Sequence, residues 1–137
     1  MITAVDTSVL VDIFAADAGH GPASRRAVRT CLAEGGLVAC EVVWAEVGAA
    51  FASTAAAREA MDRLGVSFSA VDTAAALEAG RAFAEYLRRG GRRQRVVADF
   101  LIGAHACGHA DRLLTRDRGF HRSYFAALTV LAPTGAG

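Results

Sequence analysis

The stretch ITAVDTSVLVDIF, residues 2–14, contains the unit from which the fold is built. Its first four residues form a short apolar run that ends at Asp6, and Thr7 or Ser8 can cap a helix over residues 8–15. A strand without a polar side belongs in a parallel sheet that helices cover on both faces. The stretch therefore predicts an α/β fold.

The same alternation of strand and helix continues along the chain. Apolar runs predict strands at residues 37–40, 66–71, 112–115 and 128–131. Helices are predicted at 23–34, 41–53, from there to 64, 72–89 and 97–109. No repeat or linker interrupts the 137 residues. We therefore expect one domain over residues 1–137, with a flexible tail at residues 132–137.

Composition excludes several classes of protein. A hydrophobic fraction of 53% against 21% charged residues excludes intrinsic disorder. No apolar run reaches the roughly 18 residues of a membrane span, and acidic residues inside the first apolar stretch exclude a signal peptide, so we expect a cytoplasmic protein. The three cysteines have no zinc-ligand spacing. All 15 basic residues are arginine, which excludes chemistry that needs a lysine.

Four acidic residues stand out by their positions. Asp6 and Asp117 follow predicted strands, and the carboxyl ends of parallel strands are where ligands bind in such sheets. Glu46 and Asp99 lie on predicted helices with mainly apolar neighbours three and four positions away. A carboxylate on an apolar face costs several kcal/mol unless it is paired or bound to a metal.

These four carboxylates would repel one another if the fold brings them together. Two carboxylates 4 Å apart repel by about 4 kcal/mol at an effective dielectric constant near 20. A divalent cation removes this repulsion, and oxygen ligands favour Mg²⁺ or Mn²⁺ over zinc. On this reasoning, Asp6→Asn should leave the stability of the metal-free protein unchanged or raised. The alternative is that Asp6 and Asp99 cap helices and Glu46 pairs with an arginine.

Four segments resemble the motifs of one known family. VDTSVLVDIF (5–14), EVVWAEV (41–47), VADFLIGAHA (97–106) and LLTRDRGF (113–120) are similar, in order and spacing, to the motifs of PIN-domain ribonucleases, and most similar to those of VapC-type toxins. The resemblance runs over the whole chain. It implies a three-layer α/β/α sandwich with a short, mostly parallel central sheet, a Mg²⁺ or Mn²⁺ cofactor, and cleavage of RNA.

The resemblance also implies roles for individual residues. It places acidic site residues at Asp6, Glu46, Asp99 and Asp117, with the Thr115 hydroxyl nearby. We assign metal binding to Asp6, Asp99 and Asp117, and orientation of the attacking water or support of a ligand to Glu46. The sequence departs from the family at Gly119, where many relatives carry a further acid that would serve a second metal.

Arginines are concentrated near the predicted site. Nine of the 15 lie between residues 88 and 122. Arg92, Arg93 and Arg95 in RRGGRRQR (88–95) are candidates for a phosphate-binding rim, and a solvated loop is the alternative. Arg116 and Arg118 flank Asp117, where they could hold the substrate strand or form salt bridges with equal plausibility.

These observations support a Mg²⁺-dependent endoribonuclease, the toxin of a type II toxin–antitoxin pair, that cleaves single-stranded or looped RNA. The alternatives are a metal-dependent nuclease of RNA processing or DNA metabolism, and a non-catalytic binding module with the same fold. Apolar helix surfaces predict a homodimer. A small antitoxin is the expected partner, because an arginine from it could pair with the carboxylates in place of the metal.

Overall fold

The central element is a five-stranded sheet in the part of the chain that the computed structural model describes, residues 1–92 and 97–134. The strands are β1 (Ile2–Val5), β2 (Gly36–Ala39), β3 (Val66–Phe68), β4 (Arg112–Leu114) and β5 (Val130–Leu131). They lie in the order β3-β2-β1-β4-β5, and every neighbouring pair is parallel. The parallel sheet predicted from the apolar runs is confirmed.

Seven helices connect the strands of this described region. They are α1 (Thr7–Phe14), α2 (Gly21–Glu34), α3 (Glu41–Gly48), α4 (Thr54–Leu64), α5 (Thr73–Arg88), α6 (Val97–His109) and α7 (Arg118–Tyr124). The chain moves outward from β1 to β3 and then returns to β4 and β5. Because parallel crossovers are right-handed, α1 to α4 cover one face and α5 to α7 the other. The expected three-layer α/β/α sandwich is confirmed.

Two local predictions were wrong in detail. The N-terminal cap of α1 is Asp6, as the alternative interpretation of that residue predicted, and not Thr7 or Ser8, because the Asp6 side chain accepts a hydrogen bond from the Thr7 N–H. Helix α7 was not predicted, since its charged sequence lacks a clear apolar periodicity. It forms where Asp117 caps its first turn and Phe120 packs edge-on against Phe100, with ring centroids 5.0 Å apart.

The core fixes helix α6, which carries Asp99 near its start. Phe100 is fully buried and packs edge-on against Phe83 of α5 at 5.1 Å. A side chain at Gly103 would lie 2.3 Å from the Phe125 ring, so a glycine is needed for α6 to approach this close. Helix α6 is thus held between α5 and the segment that contains α7.

The strand order decides where a ligand can bind. Strand β1 lies between β2 and β4, and the chain leaves β1 toward β2 while β4 lies on its other side. Such a switch point leaves a crevice at the carboxyl ends of the strands. Asp6 follows β1 and Thr115 follows β4, and the Asp6 N–H donates to the Leu114 carbonyl at 2.9 Å. Two candidate site residues therefore lie side by side.

Two further points concern the extent of the chain. No helix within residues 1–92 and 97–134 combines the length and the apolar character needed to cross a membrane. Of the tail expected to be flexible, residues 135–137 lie outside the described residues.

Candidate active site

Asp6 lies at the centre of the candidate site. It is only 7% exposed. One carboxylate oxygen, Oδ1, accepts a hydrogen bond from the Thr7 N–H at 2.8 Å, and the other, Oδ2, accepts from the Thr115 hydroxyl at 2.6 Å. The His121 ring nitrogen Nε2 lies 3.8 Å from Oδ2, a distance of ionic contact that is longer than a hydrogen bond.

These neighbours keep Asp6 ionised. Burial of the carboxylate acts to raise its pKa, but the His121 ring, the Thr115 hydroxyl and the Thr7 N–H together more than offset this effect. The pKa of Asp6 therefore lies below its ordinary value of 3.8. Asp6 is a buried negative charge at neutral pH, stabilised by the nearby His121 ring and by two neutral donors, the Thr115 hydroxyl and the Thr7 N–H.

The Thr115 hydroxyl connects Asp6 to Asp117. It donates to Asp6 and accepts from the Asp117 N–H at 3.0 Å. Asp117 is exposed and also caps α7, because its Oδ1 accepts from the Phe120 N–H at 3.4 Å. Asp6 and Asp117, which both follow parallel strands, are therefore connected through one hydroxyl. The resemblance implied a hydroxyl near the site at Thr115, and this is the residue that connects them.

A second hydroxyl connects the Asp6 region to Glu46. The Thr7 hydroxyl donates to Glu46 Oε1 at 2.7 Å. Glu46 is exposed, although its neighbours in the sequence are apolar, because the end of α3 and the turn that follows it at Ala49 and Ala50 face outward. Its described partner is therefore a threonine rather than the arginine considered above. Thr7 had not been identified from the sequence as a site residue.

The remaining acid and the arginines surround this centre. Asp99 is half-buried in the first turn of α6. Arg92 is exposed, and its backbone carbonyl accepts from the Tyr86 hydroxyl at 2.8 Å. Arg118 is exposed at the start of α7. Arg93 and Arg95 lie outside the described residues.

Arg116 forms the salt bridge that was one of its two expected roles. Its guanidinium contacts the buried carboxylate of Asp12, with Nε 2.9 Å from Oδ2. Neither Asp12 nor His121 was identified from the sequence as a site residue. Asp12 could have been, because its helix neighbours Val9, Ala15 and Ala16 are apolar, as are those of Glu46. His121 has no comparable signal.

The donors suit a hard divalent cation in their chemistry. Asp6 supplies an ionised carboxylate bonded to the Thr115 hydroxyl, and the same hydroxyl accepts from the backbone N–H of Asp117, whose carboxylate is exposed. Within residues 1–92 and 97–134, no three His, Cys, Asp or Glu side chains lie close enough to hold a metal ion by themselves. Mg²⁺ commonly keeps several waters and takes only one or two carboxylates, so the arrangement fits that ion.

Comparison with known proteins agrees with this geometry. The family model of the PIN domain matches residues 3–126. The chain therefore belongs to the PIN domain family, whose nucleases generally use a divalent metal. Comparison with curated protein sequences gives no significant match.

Several solved structures share the fold over almost their whole length. VapBC2 from Rickettsia felis, bound to a DNA fragment from its promoter, gives a TM-score of 0.74 at 17% identity, covering 96% of this chain and 98% of that chain. VapBC-1 from nontypeable Haemophilus influenzae gives 0.71 at 15% identity, with the same coverage. FitAcB from Neisseria gonorrhoeae gives 0.65 at 21% identity, covering 97% and 98%. At these identities the likeness establishes the fold.

Proposed function

We propose that this protein is a VapC-type toxin, a Mg²⁺- or Mn²⁺-dependent endoribonuclease that cleaves single-stranded or looped RNA in the cytoplasm. The observation that carries the proposal is Asp6. It is a buried, ionised carboxylate at the carboxyl end of the central strand of a PIN domain, close to the His121 ring and one hydroxyl away from Asp117. The solved VapBC complexes with the same fold support a toxin.

The residues of the chain have distinct tasks in this proposal. Asp6 and Asp117 hold the metal, with Asp99 contributing from the start of α6, directly or through water. Thr115 donates its only proton to Asp6 and thereby fixes the orientation of that carboxylate. The bound metal supplies Lewis-acid polarisation of the scissile phosphate.

Glu46 is, with Asp117, one of the two exposed residues among the four acids. Thr7 holds one of its oxygens, and the side chain is exposed. We assign to Glu46 the orientation of the attacking water, because the Thr7 hydroxyl holds its Oε1 and an exposed carboxylate can accept a hydrogen bond from water.

Arginines supply the binding of the RNA backbone in this proposal. Arg92, Arg93, Arg95 and Arg118 remain candidates, and exposed guanidinium groups bind phosphate without reading the bases. Replacing both Arg92 and Arg93 by alanine should weaken RNA binding and flatten its salt dependence by about one to two units of slope. An unchanged slope would indicate a solvated loop.

An antitoxin is the proposed partner. A groove of about 440 Å³ lies beside the C-terminal end of α1, the end away from Asp6, and its walls come from α1, α2 and α4. Its lining includes Ile13, Phe14 and Leu64, with Arg25 and Glu59 also contributing. An amphipathic helix fits such a groove, and an arginine extending from it could pair with the carboxylates.

A homodimer is also proposed. Phe68 and Leu77 are large apolar side chains that are 57% and 71% exposed. Such side chains favour an interface when they belong to a wider apolar surface. Sedimentation at tens of micromolar should give a dimer, and a monomer at that concentration would remove this part of the proposal.

The test of the proposed activity is induced expression of the protein, with sequencing of the RNA ends that appear. We expect growth arrest and cuts at single-stranded or looped sites. Asp6→Asn should abolish both effects, whereas Glu59→Gln, which changes an exposed acid paired with Arg63 on α4, should keep them. Cleavage by the purified protein should stop in EDTA and return with Mg²⁺ or Mn²⁺.

The outcomes separate the alternatives. A harmless protein that binds Mn²⁺ and cuts one stable RNA would favour a processing nuclease. A protein that binds no Mn²⁺ would favour a non-catalytic module. Co-expression with the product of an adjacent small reading frame should restore growth, and that product should co-purify with the toxin.

A further inference from the structure

Asp12, near the other end of α1, has no task in the proposed chemistry. It is 5% exposed. Its carbonyl accepts from the Asp17 N–H at 3.0 Å, and its Oδ2 accepts from the Ser24 hydroxyl of α2 at 3.0 Å. A side chain at Gly21 would lie 3.2 Å from the Asp12 carbonyl, so α2 starts close against this residue. Asp12 is therefore a fixed point in the corner between α1 and α2.

Arg116 is bound to this fixed point by two contacts. Nε lies 2.9 Å from Asp12 Oδ2, and Nη2 donates to Oδ1 at 3.2 Å. A guanidinium that contacts both oxygens of one carboxylate is fixed in orientation as well as in position. This geometry occupies the Nε and Nη2 groups of Arg116, which reduces what the side chain can offer to a phosphate.

The segment after β4 is therefore attached to α1 at two places. Thr115 is bonded to Asp6 at the cap of α1, and Arg116 is bonded to Asp12, six residues further along the helix. Six residues of helix span about 9 Å. One attachment would leave the segment free to turn about it, whereas two attachments this far apart fix its direction. Asp117 follows immediately.

We propose that Asp12 and Arg116 are positioning residues, which hold the segment Thr115–Asp117 against α1 so that Asp117 stands beside Asp6. The inference rests on the proposed metal-dependent function. In this proposal Arg116 supports the metal site by holding Asp117 in position. It is then not one of the arginines that contact the RNA.

The test uses the double substitution Asp12→Asn and Arg116→Met in the full chain. Replacing both partners leaves no unpaired buried charge, so the fold should persist. Calorimetry with Mn²⁺ should give a dissociation constant roughly 10-fold higher than that of the original protein, the usual effect of losing a residue that supports a metal ligand. Hydrogen exchange of the Asp117 amide in the metal-free protein should be roughly 10-fold faster.

Two other variants separate positioning from general stability. Ser53→Ala removes the side-chain cap of α4, far along the chain from the proposed site residues, so it should lower Tm by about 3 °C and leave Mn²⁺ affinity unchanged. Arg116→Lys keeps the charge and loses the paired contact, so its Mn²⁺ affinity should lie between those of the original protein and the double variant. It also serves as the test if the double variant fails to fold.

The outcomes are decisive in either direction. Weaker Mn²⁺ binding together with faster exchange of the Asp117 amide would support the inference. Unchanged Mn²⁺ affinity, or unchanged exchange, in a folded variant would overturn it. If the unsubstituted protein binds no Mn²⁺, the proposed metal site is wrong. The exchange rate of the Asp117 amide then tests the positioning role alone: faster exchange in the double variant would support it, and unchanged exchange would overturn it.

Discussion

The two ends of α1 each bury an aspartate, and the two carboxylates have opposite surroundings. Asp6, at the N-terminal end, is held by the Thr7 N–H and the Thr115 hydroxyl, with the His121 ring 3.8 Å away. Asp12, near the C-terminal end, is held by the guanidinium of Arg116 and by a serine hydroxyl. Both are at most 7% exposed.

This difference shows how one residue type serves two purposes within a single helix. An arginine cancels the charge of Asp12, so that the carboxylate acts only as a structural anchor. The Thr7 N–H and the Thr115 hydroxyl orient the Asp6 carboxylate, with the His121 ring 3.8 Å away, and in the proposed function the charge of Asp6 remains available to a cation. Burial alone therefore does not distinguish the two aspartates, whereas the geometry of their partners does, because Arg116 contacts both oxygens of Asp12 and the His121 ring stays 3.8 Å from Asp6 Oδ2.

The largest expected effect comes from Asp6→Asn. Removing a residue that merely supports a metal ligand costs up to about 100-fold in activity. Asp6 is itself a proposed ligand, so we expect the rate of cleavage to fall by more than about 100-fold. Asp12→Asn should reduce cleavage less, because it leaves the oxygens of Asp6 in place. Rates measured on one RNA with saturating Mn²⁺ decide this. An equal loss of cleavage in two correctly folded variants would contradict the different roles assigned to Asp6 and Asp12.

The metal-free stability of Asp6→Asn sharpens the same comparison. The lowered pKa of Asp6 means that its neighbours stabilise its charge. We therefore no longer expect Asp6→Asn to leave the stability of the metal-free protein unchanged or raised. An amide cannot offer acceptor oxygens to both the Thr7 N–H and the Thr115 hydroxyl. We expect a loss of about 1 kcal/mol in the free energy of unfolding by urea, and a gain would show that repulsion dominates.

Arg116→Ala should produce the next largest effect, on stability. It leaves the carboxylate of Asp12 buried without its cation, and we expect a loss of about 3 kcal/mol. The value is at the lower end for buried pairs because the Arg116 side chain is 37% exposed and water can partly replace it. Arg118→Ala is the matched control, with a change within about 0.5 kcal/mol. Similar losses in both variants would contradict a specific role for the pair.

Thr115→Val tests the hydroxyl that joins Asp6 to Asp117. The substitution keeps the shape of a fully buried side chain and removes one donor and one acceptor. We expect a loss of about 1.5 kcal/mol in the free energy of unfolding. Thr30→Val, at an exposed hydroxyl bonded to the Arg26 carbonyl on α2, should cost less than about 0.5 kcal/mol. Equal costs would show that the bridging hydroxyl is not special.

The smallest expected effect is on the pH dependence of stability. The pKa of Asp6 is lowered in the folded protein from 3.8, so its contribution is fully present above about pH 4 and is lost as the pH falls through the lowered pKa. Urea unfolding between pH 5 and pH 2 should therefore show a shallower loss of stability for Asp6→Asn than for the original protein. Parallel curves would mean that Asp6 has the same pKa in the folded and unfolded states.

Much of the fold could be predicted because its signals are local. Each strand is an apolar run, and Asp72 and Ser53 cap their helices through backbone N–H groups three residues ahead. Helix α7 was not predicted because it depends on the contact between the rings of Phe120 and Phe100. The charged residues of α7 itself show no apolar periodicity. A contact with a distant aromatic ring leaves no trace in a local pattern.

The sequence by itself determined the parallel sheet and the placement of Asp6 and Asp117 after strands. The reason is that a strand with apolar side chains on both sides must be covered by helices on both faces, as in a parallel sheet. Only the tertiary structure decided the partners of each carboxylate. Arg116 lies 104 residues from Asp12, and Thr115 lies 109 residues from Asp6. Both pairs meet because β4 aligns beside β1, and strand order is a property of the whole chain that no single segment encodes.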